Sequence, residues 1–243
     1  MRLSLLTLIF AALALTLGAL VSAARADGLI YKLPKDGEQA RYEMEIAVNV
    51  GGQDMATKGS VTVASVGVAT VDNEKCRWIE IKMILKADDQ EQLTISKVLI
   101  PEKDLGKGKS PGEHMIRGWF KEGDMPAQEF KDLKDPRAVS VAAFLAGPPK
   151  NAAELDKIEI DNRKLGKVSC AGVSGDQETD GPGGTQIVIG MENRLNDMAP
   201  FGLVVANWKF ELKNNGQAAV AGTFKLTLSD INTTALSELP DKN

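Results

Sequence analysis

Hydrophobic and polar residues alternate with a period of two over much of this sequence. Between residues 42 and 50, every second position is Tyr, Met, Ile or Val, and charged, polar or small residues stand between them. This alternation is typical of a β-strand with one buried and one solvated face. Further runs at 58–71, 78–85 and 93–100 follow after short turns such as Gly51-Gly52. The pattern predicts four strands in an antiparallel meander.

The middle of the chain lacks this alternation and carries helix signals instead. Residues 110–120 and 135–145 are predicted to be helical, and the second segment starts with Asp135 before a proline and stops near Gly147. Strands are predicted again at 157–162, 167–174, 185–193, 201–212 and 218–229. Because strands flank a helical insertion at about 102–150, the sequence predicts an α+β fold with helices against one face of an antiparallel sheet.

The first 26 residues have the pattern of a signal peptide. Arg2 precedes an apolar run from Leu3 to Ala24, and Ala24-Arg25-Ala26 places small residues at −3 and −1 before Asp27. Cleavage would leave 243 − 26 = 217 residues, which suits a single domain at 27–243. The alternative is an uncleaved anchor, since a bilayer is spanned by about 20 apolar residues. We expect an exported protein, periplasmic or secreted, whose mature chain does not span a membrane.

Charge and cysteine content narrow the classes of function. The chain has 29 basic and 33 acidic side chains, and nucleic acids select clustered positive charge, so no nucleic-acid partner is expected. Cys76 and Cys170 are the only cysteines. Export favours a disulfide between them, and two separate buried thiols are the alternative. The single histidine, His114, does not complete a metal site with them, so no metal is expected.

Two short motifs imitate functional sites. Residues 108–112 (GKSPG) have the letters of a serine-hydrolase elbow, but Pro111 lacks the backbone N–H that the oxyanion hole requires. Residues 176–181 (DQETDG) are spaced like a calcium loop, but Ile187 stands where a bidentate glutamate is needed. The sequence therefore predicts no catalytic residues, no cofactor and no enzyme activity. A hydrolase with an unrecognised pair of carboxylates is a minor alternative.

The C-terminal half resembles a known family. Residues 192–197 (ENRLND) lead into 199–204 (APFGLV), and a strand at 223–230 (TFKLTLSD) closes the domain. This order resembles the half-barrel domains of the outer-membrane lipoprotein carrier superfamily and bacterial exported proteins similar to them. The resemblance implies a strongly curved antiparallel sheet, a half-barrel, with helices packed on its concave face. It also implies an apolar cavity, which in carriers holds acyl chains.

Two functions are expected on these grounds. The first is an exported, non-enzymatic protein that binds a lipid, a lipoprotein acyl chain or another apolar ligand in the cavity of the curved sheet. The second is an exported structural or interaction protein with no small-molecule ligand. Apolar side chains of the insertion are the candidate ligand-binding residues, and the alternative is that they fill the core. These residues are Trp119, Phe120, Phe144 and Leu145.

Overall fold

Eleven strands in one antiparallel sheet make up most of the described structure. The structure, a computed structural model, describes residues 28–87, 90–131, 135, 137–138, 141, 144–145, 147, 149, 151–180, 185–214 and 217–240. The strands are β1 Gln39–Val50, β2 Gln53–Val71, β3 Glu74–Ala87, β4 Gln90–Pro101, β5 Arg117–Glu122, β6 Gln128–Phe130, β7 Ala153–Asn162, β8 Gly166–Asp180, β9 Thr185–Leu195, β10 Leu203–Asn214 and β11 Gln217–Asn232. Two 3₁₀ helices span Glu102–Asp104 and Pro111–His114. The proposed signal peptide lies outside the described residues and stays a prediction.

The sheet consists of two meanders joined through the first and last strands. Its order is β6-β5-β4-β3-β2-β1-β11-β10-β9-β8-β7, so each strand pairs with its neighbour in sequence except where β1 pairs with β11. All nine strands predicted from alternation overlap an observed strand, namely β1 to β4 and β7 to β11. The short β5 and β6 were not predicted.

The predicted α+β class is wrong, because the fold is nearly all sheet. No helix among the described residues reaches seven residues. Segment 110–120, which was expected to be a helix, instead forms the 3₁₀ turn Pro111–His114 and the start of β5. Met115 and Trp119 are spaced like one face of a helix, but in the structure they enter two different apolar clusters. Pairing with β4 decided the outcome over the local pattern.

Of the second expected helix, 135–145, the structure describes residues 135, 137–138, 141 and 144–145, and we call these the helical segment because 137, 138, 141 and 144 are helical. Its start follows the predicted signal, because the Asp135 carboxylate accepts a hydrogen bond from the backbone N–H of Arg137 at 2.9 Å. The segment packs its apolar residues into the main core. These are Ala138, Val141, Phe144 and Leu145.

Two apolar clusters lie on the two faces of the sheet. On β1, buried and exposed residues alternate, and the buried ones define what we call the inner face. The inner cluster draws residues from β1 to β4 and from β8 to β11, so it extends across most of the sheet. The outer cluster lies on the other face of β3 to β5. It contains Cys76, Trp78, Ile95, Leu99, Trp119 and Leu239.

The disulfide expected between Cys76 and Cys170 is not formed, and both thiols are free and buried. Cys76 belongs to the outer cluster and Cys170 to the inner cluster. Five strands also separate β3 from β8 in the order of the sheet. Side chains on opposite faces of a sheet point apart, which excludes the geometry that a disulfide requires.

Thiol counting tests this arrangement. We expect two labelled cysteines per chain when the protein is denatured without reduction. In the folded protein labelling should be slow, because burial raises the pKa of the Cys76 and Cys170 thiols and keeps them protonated. Mass spectrometry after alkylation gives the count, and an unlabelled denatured chain would contradict the placement of these residues on opposite faces.

Candidate functional site

One row of cross-strand neighbours crosses six strands of the inner face. At its centre Phe210 lies opposite Gly222 on one side and Ile189 on the other. The row continues through pairs in the register of adjacent strands, and we call it the Phe210 row. From β2 to β8 it consists of Met55, Val48, Gly222, Phe210, Ile189 and Gln177.

Gly222 permits this row to pack closely. A Cβ atom at this position would lie 2.5 Å from the Phe210 ring and 2.5 Å from the backbone oxygen of Ala47. No side chain larger than hydrogen fits there unless the strand or the ring moves. A glycine inside an apolar strand is the signal in the sequence that marks such a close approach.

An open groove with a volume of about 470 Å³ lies at the end of the sheet where the β1–β2 hairpin meets β10 and β11. Val48 and Phe210 belong to both the groove and the inner cluster, so the groove adjoins the apolar interior. Its walls are mostly apolar, with charged residues among them. The lining residues are Ala47, Val48, Asn49, Asp54, Met55, Ala56, Lys209, Phe210, Glu211, Ala221, Gly222 and Thr223.

Aromatic rings continue from this row into the interior. Trp208 and Phe224 stack with their ring centroids 5.2 Å apart, and Phe144 of the helical segment meets Phe224 at 6.4 Å in a tilted arrangement. The Trp208 indole N–H donates a 2.9 Å hydrogen bond to the buried amide oxygen of Asn193. The helical segment therefore closes the inner face over the aromatic residues next to the groove.

The four predicted ligand-binding residues do not form one site. Phe144 and Leu145 are buried in the inner cluster, and Phe120 packs against that cluster from β5. Trp119 lies in the outer cluster. Consecutive residues of a strand point to opposite faces, so Trp119 and Phe120 cannot both face one cavity. Sequence reasoning also missed the Phe210 row, because its members come from six separate strands.

His114 and the acidic stretch at 176–178 have ordinary structural surroundings. His114 is half exposed and its Nδ1 lies 3.8 Å from the Asp104 carboxylate. Asp176 and Glu178 are exposed in β8 while Gln177 between them is buried, so this stretch is extended strand and not the sharply turned loop of a calcium site. No group of three or more His, Cys, Asp or Glu side chains in the described ranges could hold a metal ion.

The outer cluster is covered by the C-terminal residues 235–240. Leu239 is buried in it, and the buried carboxylate of Glu80 accepts hydrogen bonds from the Ser237 hydroxyl at 2.7 Å and from the Glu238 N–H at 3.1 Å. Burial raises the pKa of Glu80, and these hydrogen bonds oppose the shift. A peptide segment of this chain thus shields the tryptophans of the outer face.

A buried lysine extends the outer cluster. Lys97 lies opposite both Glu80 and Trp119 in the strand register. Its Nζ is 5.0 Å from the centroid of the Trp78 ring and 3.4 Å from the backbone oxygen of Pro240. The cation–π contact and the hydrogen bond keep the charged lysine within an apolar surround.

The fold and site together define an antiparallel-sheet protein with an apolar inner face. No family model matches the chain, and no curated protein sequence matches it. Solved structures that match include a DUF1329 family protein from Desulfovibrio piger, with 11% identity over 93% of each chain and a TM-score of 0.29. A LolA superfamily protein from Nitrosomonas europaea has 10% identity over 90% of this chain and 96% of its own, with a TM-score of 0.29.

A third match is a β-barrel-like protein of the domain DUF1849 from Brucella abortus, with 6% identity, 84% and 98% coverage and a TM-score of 0.26. The expected resemblance is confirmed to the extent that a LolA superfamily protein is among the matches. No helix in the described part of the chain is long and apolar enough to cross a membrane.

Replacing Trp119 by Ala should lower the stability of the folded protein. The ring is 8% exposed within the outer cluster, so its removal opens a cavity there, and we expect a loss of about 3 to 5 kcal/mol in the free energy of unfolding. Denaturant titration gives the value, with Trp119→Phe as the milder control. A loss below about 1 kcal/mol would contradict the core role of this ring.

Glu80 should make stability fall as the pH rises above about 4.5, the ordinary pKa of a glutamate. Its folded-state pKa is raised, so the folded protein binds the proton more tightly than the unfolded chain. The stabilising contribution of this protonation is fully present below the ordinary pKa. It is lost as the pH rises through the raised pKa of the folded protein. Glu80→Gln should flatten this part of the profile.

Denaturation midpoints between pH 4 and 7 measure this effect. Lys82→Gln is a matched control, because it removes the 2.7 Å ion pair with Glu238 but keeps the Glu80 carboxylate. If stability rises with pH over this interval in the wild type, and Glu80→Gln abolishes the rise, the pKa of Glu80 is not raised in the folded protein.

Proposed function

We propose that this protein is an exported, non-enzymatic carrier that holds an apolar chain, such as a lipid or a lipoprotein acyl chain, against the inner face of its sheet. The observation that carries the proposal is the groove of about 470 Å³, which adjoins the inner cluster through Val48 and Phe210. Sites for small molecules commonly have volumes of about 300 to 1,000 Å³ and mostly apolar walls.

The margin of the inner face supports entry of the ligand at this end. Met55, Val50, Ile189 and Val220 are only partly buried, whereas Val48 and Phe210 beside them are buried. An apolar chain that covered these side chains would remove further apolar surface from water. This gain is proportional to the area covered and drives the binding of such ligands.

The helical segment offers a way to deepen the site. Its described apolar residues fill the interior, and Phe144 contacts Phe224 next to the stacked Trp208. Its described residues Ala138, Val141 and Phe144 lie in the inner cluster, so they occupy the position of a plug. Outward movement of this plug would lengthen the groove along the aromatic residues.

Export is part of the proposal and is supported by the composition of the first 26 residues. The two cysteines form no bridge, so export is inferred from the first 26 residues alone. Both are buried with a raised thiol pKa, so they present little reactive thiolate to oxidants.

The second candidate function is an exported interaction protein without a small ligand. It is favoured by the filling of the inner face, since Phe144 and Leu145 are buried there by the protein's own side chains. If the plug never moves, the core is complete as it stands. An apolar dye would then find only the shallow groove and would bind weakly.

Met55→Glu tests the carrier function at the groove. A carboxylate at this partly buried lining position would be desolvated by an apolar chain, so we expect at least about tenfold weaker binding of a fluorescent fatty acid. Gln53→Glu is the matched control, because it adds the same charge on the same strand at an exposed position outside the groove.

Fluorescence titration of the mature protein and both variants gives the dissociation constants, and thermal midpoints confirm folding. Equal affinity of the two variants for the fatty acid would mean that the groove is not part of the ligand site. No binding by the wild-type protein at any concentration would reject the carrier function in favour of the interaction protein.

A further inference from the structure

Two buried polar atoms of the inner face lack a hydrogen-bond partner. Among the buried side-chain nitrogen and oxygen atoms of the described residues, these are Thr94 Oγ1 and Gln177 Nε2. Thr94 lies opposite Met83, and Gln177 opposite Ile189, both of which pack in or against the inner cluster. Folded proteins pair nearly all such groups, because an unmet donor in an apolar surround is costly.

Gln177 stands at the β8 end of the Phe210 row, and it is 2% exposed. Strands in a sheet are about 4.8 Å apart, so its backbone lies roughly 10 Å from that of Phe210, with Ile189 between them. The other members of the row are apolar residues or glycine. An apolar chain lying along the row from the groove would therefore reach this amide.

Pro149 covers the part of β8 next to Gln177. A Cβ atom at Gly175 would lie 2.6 Å from the ring of Pro149, so Pro149 packs directly on β8 two residues before Gln177. Pro149 is itself buried. The amide is consequently enclosed by protein rather than turned towards solvent, and its N–H is left for an acceptor that the protein itself does not supply.

We propose that Gln177 is a hydrogen-bonding subsite that donates its amide N–H to a neutral carbonyl oxygen of the ligand. This inference rests on the proposed carrier function and specifies its ligand as an acyl ester or amide. Nε2 is a donor, so it selects an acceptor oxygen. The Phe210 row contains no cationic side chain, so a neutral carbonyl suits it better than a carboxylate, whose buried charge would be uncompensated.

Two glycerol lipids of equal chain length distinguish the contribution of the carbonyl to binding from the contribution of the apolar chain. A monoacylglycerol has an ester carbonyl, and the matching monoalkylglycerol ether lacks it. Each is used to displace an apolar fluorescent dye from the full protein. We expect the wild type to bind the ester about five- to tenfold more tightly than the ether, which corresponds to one net hydrogen bond.

Gln177→Met should bring the two affinities within about twofold of each other, because the ester loses the hydrogen bond that distinguishes it from the ether. Its unbranched side chain has a similar shape and removes the unmet donor, so the thermal midpoint should stay the same or rise. Gln177→Leu serves if the first variant does not fold. Thr94→Val is the matched control, because it removes the other unpaired atom of the inner face and should preserve the preference for the ester.

The outcomes distinguish the two proposals. If both lipids displace the dye equally from the wild type, or if the preference survives in Gln177→Met, the subsite is wrong and the carrier function stands. If Thr94→Val removes the preference instead, the carbonyl partner is not Gln177. If the dye does not bind the wild type, the carrier function fails and the subsite fails with it.

Discussion

The pairing of β1 with β11 is the contact on which the rest of the structure depends. It joins two meanders that are far apart in the sequence, and without it each would be a separate sheet with one exposed apolar face. The buried Tyr42 of β1 strengthens the junction by donating a hydrogen bond to the Leu203 carbonyl of β10 at 3.2 Å. Alternation along β1 then assigns every paired strand an inner and an outer side.

Each side of the joined sheet is covered by a different segment of the chain. The described residues of the helical segment pack into the inner cluster, and residues 235–240 cover the tryptophans of the outer face. The inner cover packs through apolar contacts, whereas the outer cover is also held by hydrogen bonds to the buried Glu80. Apolar contacts are not directional, so a ligand chain can replace them more readily than it can replace the fixed hydrogen bonds.

The interior combines a large apolar surface with a few polar groups, and these groups differ in how well they are paired. Asn193 accepts from Trp208, and Asn162 donates to the Leu228 carbonyl at 2.8 Å. Gln177 has no such partner for its Nε2 atom. Any protein core is apolar, so apolar character alone does not distinguish a ligand site. The unmet donor of Gln177 is the feature that sets this part of the interior apart.

The sequence by itself determined the nine main strands, because alternation is a local property that each strand displays along its own length. It also determined the start of the helical segment at Asp135, since a cap acts within one turn. Tertiary structure alone decided the rest. The register placed Trp119 and Phe120 on opposite faces and made the 110–120 segment a turn and a strand, and the two faces separated Cys76 from Cys170. The Phe210 row exists only across strands that the sheet brings together, so no local pattern could reveal it.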